Sequence, residues 1–357
     1  MKIFDGPKNI KDTEQKNNDL EINNINKEIL SSKDYLIEIL KKYQPEIIEN
    51  FQIVEYSSSG GESIVYRGKS KKNNIDLIMK FIVLDNETIN FNEINISNKL
   101  KNSNIINFYI FKEIIKNKLY LIVMEYAKFG DLINFLKKTI KKNYYSETTL
   151  CYITYQILNG LKYCHICSIA HLDLKPKNIV INDYLTVKII DFSISIDYSI
   201  LKTDKIKLKP RGTPFYMAPE VISNQTIDKK DLNKVDLFSI GVILYNLAFC
   251  TFPFELTYDD KDNYNKMYEK INNNKLKFDD TEFYSPSFID FLQKLLEKDI
   301  NKRININEAM NHHWIKAANI LLKEKENIYN GGHFLINLVT DNYKSFNDYI
   351  YKEKYKN

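Results

Sequence analysis

Four side chains that lie close together in the sequence could do chemistry on a hydroxyl group. Asp173, Lys175 and Asn178 belong to the run His171-Leu172-Asp173-Leu174-Lys175-Pro176-Lys177-Asn178, and Asp191 follows Asn178 by thirteen residues. A carboxylate can accept or orient a hydroxyl proton, and an ammonium group neutralises negative charge. Amide and carboxylate oxygens are the hard ligands that Mg²⁺ requires. The pattern therefore predicts a base, a cation and two metal ligands in one site.

Two kinds of element must position these residues. Short runs rich in β-branched and aromatic residues predict strands at 51–54, 64–67, 77–83 and 119–124. Apolar residues at helical spacing predict helices at 91–100, 131–141, 147–166, 232–249, 264–273 and 287–297. Strands that come first and helices that follow predict an α+β chain with two unlike lobes and a hinge near residues 125–130.

Composition excludes several classes of protein. A chain of 357 residues is long enough for two packed lobes with tails. The net charge of +5, with only three arginines among 51 basic residues and no single basic block, argues against nucleic-acid binding. Runs of 18 apolar residues are missing, as is a signal-peptide pattern, so no membrane association is expected. Four cysteines make no disulfide framework, which favours the cytoplasm, or alternatively the nucleus.

Seven ordered motifs resemble those of the eukaryotic protein kinases of the Ser/Thr type. The run His171–Asn178 resembles the catalytic loop and Asp191-Phe192-Ser193 the metal-binding triplet; Gly212-Thr213 with Ala218-Pro219-Glu220 resembles the end of the activation segment. The resemblance covers roughly residues 50–316 and implies the two-lobed kinase fold. It also implies ATP and Mg²⁺ as cofactors and proteins with Ser or Thr acceptors as substrates.

The resemblance assigns roles to the catalytic residues. Asp173 is expected to orient the substrate hydroxyl and accept its proton, and Lys175 to neutralise the γ-phosphate. Asn178 and Asp191 are expected to bind Mg²⁺. Lys80, in a predicted strand, would contact the α- and β-phosphates, and Glu93 would hold its ammonium group.

A second group of residues is expected to bind the nucleotide. The run Ser58-Ser59-Gly60-Gly61-Glu62-Ser63-Ile64-Val65 is similar to a glycine-rich loop with Ser58 and Ser63 at two glycine positions. The resemblance implies that Ile78 lies against the adenine ring and that Met124 is the gatekeeper. It implies that the backbone of Glu125 and Ala127 forms hinge hydrogen bonds with the adenine. Asp131 is expected to contact the ribose, and Val65 and Val180 to make apolar contacts with the base.

Several departures from the family pattern keep a second function open. The altered positions are Ser58, Ser63, Ile78, Leu172 in place of the catalytic-loop arginine, and Ser193 in place of the triplet glycine. They favour a pseudokinase, a nucleotide-binding or scaffold module without turnover. The presence of Lys80, Glu93, Asp173, Asn178 and Asp191 together favours the active kinase.

The same positions bear on regulation and substrate choice. Leu172 removes the arginine that an activation-loop phosphate neutralises in the family, and Lys209 stands where many kinases carry the acceptor, so we expect activity without that phosphate. Lys177 stands where arginine-directed kinases carry an acidic residue, so substrates should not be arginine-directed. Asp236 resembles the aspartate that tethers the catalytic loop, and Arg303 the arginine that pairs with Glu220.

The sequence predicts five segments. They are a flexible tail at 1–30, a helical extension at 31–50, the smaller lobe at 51–126, the larger lobe at 127–316 and a C-terminal extension at 317–357. Cys164-His165-Ile166-Cys167 is interpreted as structural, because it has no second ligand pair at zinc-finger spacing. His312-His313-Trp314 resembles the His-x-Trp motif near the last kinase helix, so packing rather than metal binding is expected there. Asp259-Asp260-Lys261-Asp262 lacks the glycine and the terminal glutamate of a calcium loop, so a solvated loop is expected there.

Overall fold

A computed structural model describes residues 27–59, 63–84, 91–139, 145–184, 186–278 and 284–317. The described residues form two compact units. The first comprises the residues up to Phe91 together with Asn107–Tyr126, and the second comprises Asn92–Ile106 together with the residues from Ala127 onward.

The first unit is built on one antiparallel sheet. Its strands are β1 (Phe51–Ser59), β2 (Ser63–Ser70), β3 (Asp76–Val83), β4 (Phe108–Ile115) and β5 (Leu119–Glu125), and within the described residues their order in the sheet is β1-β2-β3-β5-β4. The four strands predicted from the sequence are confirmed. Strand β4 was missed because two register shifts against β5 and the charged pair Lys112-Glu113 break the alternation that would have indicated it.

From residue 27, where the described part of the chain begins, three helices precede this sheet and pack against it. They are α1 (Lys27–Leu30), α2 (Lys33–Tyr43) and α3 (Pro45–Asn50). Leu36 and Leu40 share an apolar core with Tyr66 and Phe81 of the sheet, so the helical segment 31–50 packs against the sheet. Pro45 is the first residue of α3, where its missing N–H costs nothing.

The predicted tail at 1–30 is wrong at its C-terminal end. Residues 27–30 form a helical turn, Leu30 is fully buried, and the Tyr66 hydroxyl donates a 2.8 Å hydrogen bond to the Leu30 carbonyl. The rest of the tail, the glycines of the turn between β1 and β2, and the C-terminal extension after Ala317 lie outside the described residues.

The second unit is mainly helical. Its helices are α4 (Asn92–Lys99), α5 (Leu132–Thr139), α6 (Glu147–Ile166), α7 (Pro219–Ile222), α8 (Asn233–Phe249), α9 (Tyr264–Asn273), α10 (Pro286–Leu295) and α11 (Ile306–Asn311). Short strands form three small ribbons: β6 (Gly130–Asp131), β8 (Ile179–Ile181) and β9 (Val187–Ile189) form one; β7 (Ile169–Ala170) pairs with β10 (Ile196–Asp197); and β11 (Lys205–Lys207) pairs with β12 (Thr226–Asp228).

Helix α8 is apolar all round because it crosses the core of this unit. The stretch Lys229–Phe249, which contains α8 and the residues just before it, is long and apolar enough to span a membrane by length and composition. However, 78% of its most apolar 18 residues is buried inside the protein. Burial in a globular core gives such a helix the same composition as a membrane segment.

Arg303 forms the predicted pair with Glu220 in the same core. Its Nη1 and Nη2 donate to the two carboxylate oxygens of Glu220 at 2.6 and 3.0 Å, and both residues are almost fully buried. Its Nε donates to the Glu297 carbonyl at 2.8 Å, and its guanidinium lies over the Phe238 ring. The planar, forked donor set of arginine supplies these contacts, which a lysine could not reproduce.

The expected solvated loop at Asp259–Asp262 is wrong for Asp260. The Asp260 carboxylate is fully buried, accepts from Thr257 N–H at 2.8 Å in a capping box, and pairs with Lys266 and Lys270. Burial by itself would raise the pKa of Asp260, but the hydrogen bonds from Lys266, Lys270 and Thr257 outweigh it and hold that pKa well below its usual range.

Candidate active site

A buried aspartate organises the loop that carries Asp173. Asp236, on α8, is fully buried and accepts hydrogen bonds from the backbone N–H of His171 at 2.9 Å and of Leu172 at 2.7 Å, as well as from the His165 ring at 3.2 Å. Leu172 has φ = +66°, a left-handed conformation that is unfavourable for leucine. The two backbone hydrogen bonds to Asp236 offset that strain and fix the residue directly before Asp173.

His171 ties the same loop to the segment around Asp191. Its Nε2 donates to the Ile190 carbonyl at 3.0 Å, and its Nδ1 accepts from Asp173 N–H at 3.2 Å, so the two partners together select one tautomer. The ring packs on Phe192 with 4.9 Å between centroids.

Asp173 lies at the centre of a dense polar cluster. Lys175 Nζ donates to its Oδ2 at 2.6 Å, and Asn178 Nδ2 donates to the same oxygen at 3.1 Å and to the Asp173 carbonyl at 2.9 Å. The Asp173 side chain is only 10% exposed. The carboxylate is therefore held in one orientation beside a cation, as a positioned base must be.

Asn178 and Asp191 are adjacent through the backbone. The Asn178 carbonyl accepts a hydrogen bond from Ile190 N–H at 3.0 Å. Asp191 is the residue after Ile190, so this contact brings its backbone close to Asn178. Because Asn178 Nδ2 donates to Asp173, its Oδ1 is the amide atom available to a cation. Asp191 has φ = +66°, so its backbone is also held in a left-handed conformation.

The segment after Asp191 returns to the catalytic cluster at Gly212 and Thr213. Thr213 N–H donates to Asp173 Oδ1 at 3.0 Å. Gly212 has φ = +93°, and a Cβ there would lie 2.6 Å from the same oxygen. Only glycine allows both this conformation and this close approach.

Helix α4 is fastened to that segment within the second unit. Asn92 Nδ2 donates to the Ser195 carbonyl at 2.6 Å, and Lys99 pairs with Asp197. Glu93 lies in the first turn of α4 and is half-buried. Ser195 Oγ donates in turn to the His171 carbonyl at 3.0 Å, so α4 is connected to the catalytic loop through one serine.

In the first unit, four of the predicted nucleotide-binding residues share one face of the sheet. Val65 pairs with Lys80 across β2 and β3, and Ile78 pairs with Met124 across β3 and β5. On β3 the buried residues Leu77, Met79 and Phe81 alternate with the half-buried Ile78 and Lys80, so the latter two point to the opposite face.

Two more predicted residues lie near the C-terminal ends of strands in that unit. Ser58, on β1, is exposed and pairs with Val65. Glu125 ends β5, and its N–H donates to the Asn107 carbonyl at 2.9 Å. Since that N–H already donates a hydrogen bond, the expected backbone contact between Glu125 and the adenine would use the Glu125 carbonyl oxygen. Gly60 lies outside the described residues.

The protein kinase domain family matches residues 51–315. The chain belongs to this family. The fold class predicted from the motifs, α+β with a β-rich part before a larger helical part, is confirmed by this match and by the elements described above.

Curated relatives carry kinase names at modest identity. The chain is 29% identical over 314 residues to the probable serine/threonine-protein kinase fhkA of Dictyostelium discoideum, covering 78% of this chain and 52% of that protein. It is 33% identical to myosin light chain kinase A of the same organism, covering 77% of this chain and 90% of that protein. A third relative, serine/threonine-protein kinase pakH, is 33% identical over half of its own length. The chain thus spans about half the length of two of these three relatives.

The remaining kinase positions lie in the second unit. Asp131 pairs with Val180 across β6 and β8, and its carboxylate accepts from Asn134 N–H at 2.9 Å, so it also caps α5. The Ala127 carbonyl accepts from Gly130 N–H at 3.0 Å. Lys80 belongs to the first unit and Glu93 to the second, and their pairing stays a prediction.

Sequence reasoning missed the residues that support the catalytic loop from outside the motifs. Ser195 and Asn92 belong to no motif that the sequence shows. The Asn92–Ser195 contact joins residues 103 positions apart, and the Ser195–His171 contact joins residues 24 positions apart. Glu147 is likewise buried at the start of α6 and accepts from Ser285 and from Trp314 Nε1; burial raises the pKa of Glu147. No local signal distinguishes these residues from exposed polar ones, because their role exists only after folding.

Proposed function

We propose that this chain is an ATP- and Mg²⁺-dependent protein kinase that phosphorylates Ser and Thr hydroxyls. The observation that carries the proposal is the arrangement around Asp173, where Lys175, Asn178 and Thr213 N–H all contact one carboxylate. Such preorganised polar groups are what phosphoryl transfer requires, since it depends on positioning and charge neutralisation.

The reaction moves one phosphoryl group and one proton. A substrate hydroxyl oxygen forms a bond to the γ-phosphorus of ATP while the bond between that phosphorus and the β,γ-bridging oxygen breaks, which leaves ADP. Asp173 orients the hydroxyl and accepts its proton. Lys175, 2.6 Å from the Asp173 carboxylate, places a positive charge where negative charge develops on the transferred group.

The donor set fits Mg²⁺. Asn178 Oδ1 and the Asp191 carboxylate are hard oxygen donors, and kinase-type magnesium sites are completed by substrate phosphates and water. Bound Mg²⁺ would neutralise charge on the phosphates. The protein holds the two ligands in place through the Asn178–Ile190 backbone contact and the Asn178–Asp173 hydrogen bonds.

The sheet face formed by Val65, Ile78, Lys80 and Met124 supports ATP binding in the first unit. It presents apolar side chains for the base and one ammonium group for the phosphates. In the second unit, Val180 and Asp131 would contact the base and the ribose. Glu93 would orient Lys80.

The test is Mg²⁺-dependent transfer of labelled phosphate to a generic protein substrate, with Asp191→Ala as the matched control. We expect transfer by the wild type and a loss of at least about a hundredfold in the variant, because one metal ligand is removed. Wild-type transfer no higher than that of Asp191→Ala would favour the alternative function, a pseudokinase. In that case the altered residues, Ser58 and Leu172 among them, would belong to a module that binds nucleotide or serves as a scaffold without phosphoryl transfer.

Substrates are proposed not to be arginine-directed. Lys177 is exposed beside the catalytic cluster, and a guanidinium about 6 Å away would be repelled by about 3 kcal/mol at an effective dielectric near 20, before salt screening. Even a quarter of that energy corresponds to about a threefold penalty. Peptides with an acidic or neutral residue before the acceptor should therefore be preferred over Arg-Arg-x-Ser peptides.

A matched peptide pair that differs only in upstream charge tests this preference. Lys177→Glu should shift kcat/KM toward the basic peptide by about tenfold, because repulsion becomes attraction. A wild type that prefers the basic peptide, and a variant that does not strengthen that preference, would show that Lys177 does not face the substrate.

A further inference from the structure

A cavity in the second unit opens beside the catalytic loop. Its volume is about 180 Å³, and its apolar lining is contributed by Leu172, Ile194, Ile196, Leu208 and Val221. An apolar cavity of about 150 Å³ is large enough to hold benzene, so this one can take one leucine or phenylalanine side chain. Leu172 stands directly before Asp173, which places the cavity next to the catalytic cluster.

The remaining lining residues are all basic. They are Lys207, Lys209 and Arg211, all three exposed, and we call them the basic ridge. In Lys205-Ile206-Lys207-Leu208-Lys209-Pro210-Arg211 basic and apolar or proline residues alternate, beginning in strand β11. Alternation with a period of two places the cations on one face of an extended chain, while Leu208 is buried on the other.

The charge of the ridge is not compensated within the described residues. No carboxylate lines the cavity there, and no hydrogen bond or ion pair of the described residues involves the ends of these three side chains. Outside the ridge, Lys205 has the acidic residue Asp228 as its strand partner in the β11–β12 register. Arg211 is one of only three arginines in a chain rich in lysine. Its planar guanidinium group can donate two parallel hydrogen bonds to one carboxylate.

We propose that the cavity and the basic ridge form a docking site for an acidic segment of the protein substrate. An apolar side chain of that segment fills the cavity, and the acidic residues on either side of it contact Lys207, Lys209 and Arg211. The site deepens the proposed kinase function, on which its substrate role rests, and it is distinct from the position of Lys177 beside the acceptor.

Chain geometry places this docking site within reach of the phosphoacceptor. Thr213 contacts Asp173 at 3.0 Å, and Lys209 precedes Thr213 by four residues. An extended chain spans about 3.5 Å per residue, so Lys209 lies at most about 14 Å from Thr213 along the segment and Lys207 at most about 21 Å. A substrate would reach both sites with a spacer of roughly two to six residues.

The experiment measures peptide binding and turnover with the full-length, phosphatase-treated chain. The lead peptide has one serine as its single acceptor and a leucine flanked by four glutamates, on an otherwise Gln/Gly/Ala background. The leucine lies four residues before the serine in one version and four residues after it in a second version. Fluorescence anisotropy gives Kd and a transfer assay gives KM and kcat. We expect Kd to rise at least about fivefold when the glutamates become glutamines, and about fivefold when the leucine becomes alanine. KM should follow Kd, whereas kcat should change little.

Matched variants of the protein test the same contacts. Lys209→Glu should weaken binding of the lead peptide about tenfold, and Arg211→Lys about threefold although the charge is kept. Lys316→Glu is the control. Lys316 is also exposed. Trp314, two residues before it, accepts a hydrogen bond from Cys151, which lies about 20 Å along α6 from His165, so the effect of Lys316→Glu should stay within about twofold.

Several outcomes would overturn the docking site. One is a Kd that stays the same when the leucine of the peptide is replaced, which would leave the cavity without an occupant. Another is an equal loss of peptide affinity in the Lys209→Glu and Lys316→Glu variants. Tighter binding of a single-stranded oligonucleotide that displaces the peptide would assign the ridge to nucleic acid instead. Peptide binding with the expected dependences, but without transfer above that of Asp191→Ala, would support the docking site and refute the proposed kinase activity, so the two failures are distinguishable.

Discussion

At the scale of single residues, Ile78 shows how a substitution in the kinase pattern is accommodated. It lies on the half-buried face of β3, on the same side as Lys80 and opposite Met124 in the sheet. The family usually has alanine here, so three extra carbons project from the face that is proposed to bind adenine. Overpacking of this kind typically costs about 1–3 kcal/mol when the surroundings cannot relax.

We therefore predict that Ile78→Ala leaves ATP affinity unchanged or strengthens it up to about tenfold. Isothermal titration with a non-hydrolysable ATP analogue measures this directly. Val83→Ala, on the buried face of the same strand, is the control and should lower stability without a specific gain in affinity. Clear weakening by Ile78→Ala would mean that the isoleucine supplies contact area to the base, and the predicted sign would be wrong.

Arg303 gives a second residue-scale prediction, on stability. Arg303→Lys should lower the free energy of unfolding by about 2–4 kcal/mol, because lysine keeps the charge but leaves the buried Glu220 and the Glu297 carbonyl partly unsatisfied. Arg67→Lys is a matched control, since Arg67 pairs with Glu55 and Asp76 at the surface, and it should cost less than about 1 kcal/mol. Similar losses in urea unfolding of the two variants would contradict the argument.

At the scale of elements, the segment from Asp191 to Glu220 is held by contacts that need no phosphate. Asn92 and Lys99 of α4 hold its first part through Ser195 and Asp197, and Thr213 N–H holds its end to Asp173. Leu172 removes the buried cation that a phosphate would neutralise, and Lys209 is exposed to solvent. We therefore expect the segment to keep this position without modification.

We predict that phosphatase-treated enzyme keeps most of its rate on a neutral peptide. Mass spectrometry should first establish that segment hydroxyls such as Thr203 are unmodified. Asn92→Ala is the informative comparison, because it removes the α4 contact to Ser195 and should lower kcat several-fold whatever the phosphorylation state. A tenfold or greater loss of rate on phosphatase treatment, restored by phosphorylation of Thr203, would show that the segment does need a phosphate.

At the scale of the whole molecule, the chain before the kinase match is part of the first unit. The helices α1–α3 precede residue 51, yet Leu30, Leu36 and Leu40 are fully buried in the core that also contains the sheet. Burial of a leucine contributes roughly 1.5–3 kcal/mol. The domain should therefore depend on these helices for its stability.

We predict that deletion of residues 1–26 leaves the unfolding midpoint unchanged, whereas Leu36→Ala lowers stability by about 2–5 kcal/mol. Ile37→Ala is the adjacent control on the half-buried side of α2 and should cost less than half as much. Urea unfolding followed by circular dichroism gives the comparison. Equal losses in the two alanine variants would show that α2 does not pack through the Leu36 face.

The sequence by itself determined the family and the order of most elements, and it predicted the candidate catalytic residues, because each has a local signature. The spacing from Asp173 to Asn178 and on to Asp191 is a chain property, and so is the periodicity that predicted α6 and α8. Ser32 is the N-cap residue of α2, without a side-chain capping hydrogen bond, and Pro45 is the first residue of α3; both residue types are typical of helix starts.

Only the tertiary structure decided which polar residues become buried partners. Asp260 looked like a loop residue in a charged run, and its contacts with Lys266 and Lys270 form only when the following helix folds back. Ser195 acquires its role from Asn92 and His171, which lie far away in sequence. The cavity beside Leu172 likewise exists only because β11 and α7 bring Leu208 and Val221 next to the catalytic loop. Hydrogen bonding and cavity shape depend on distances between remote segments, and those distances are properties of the folded chain.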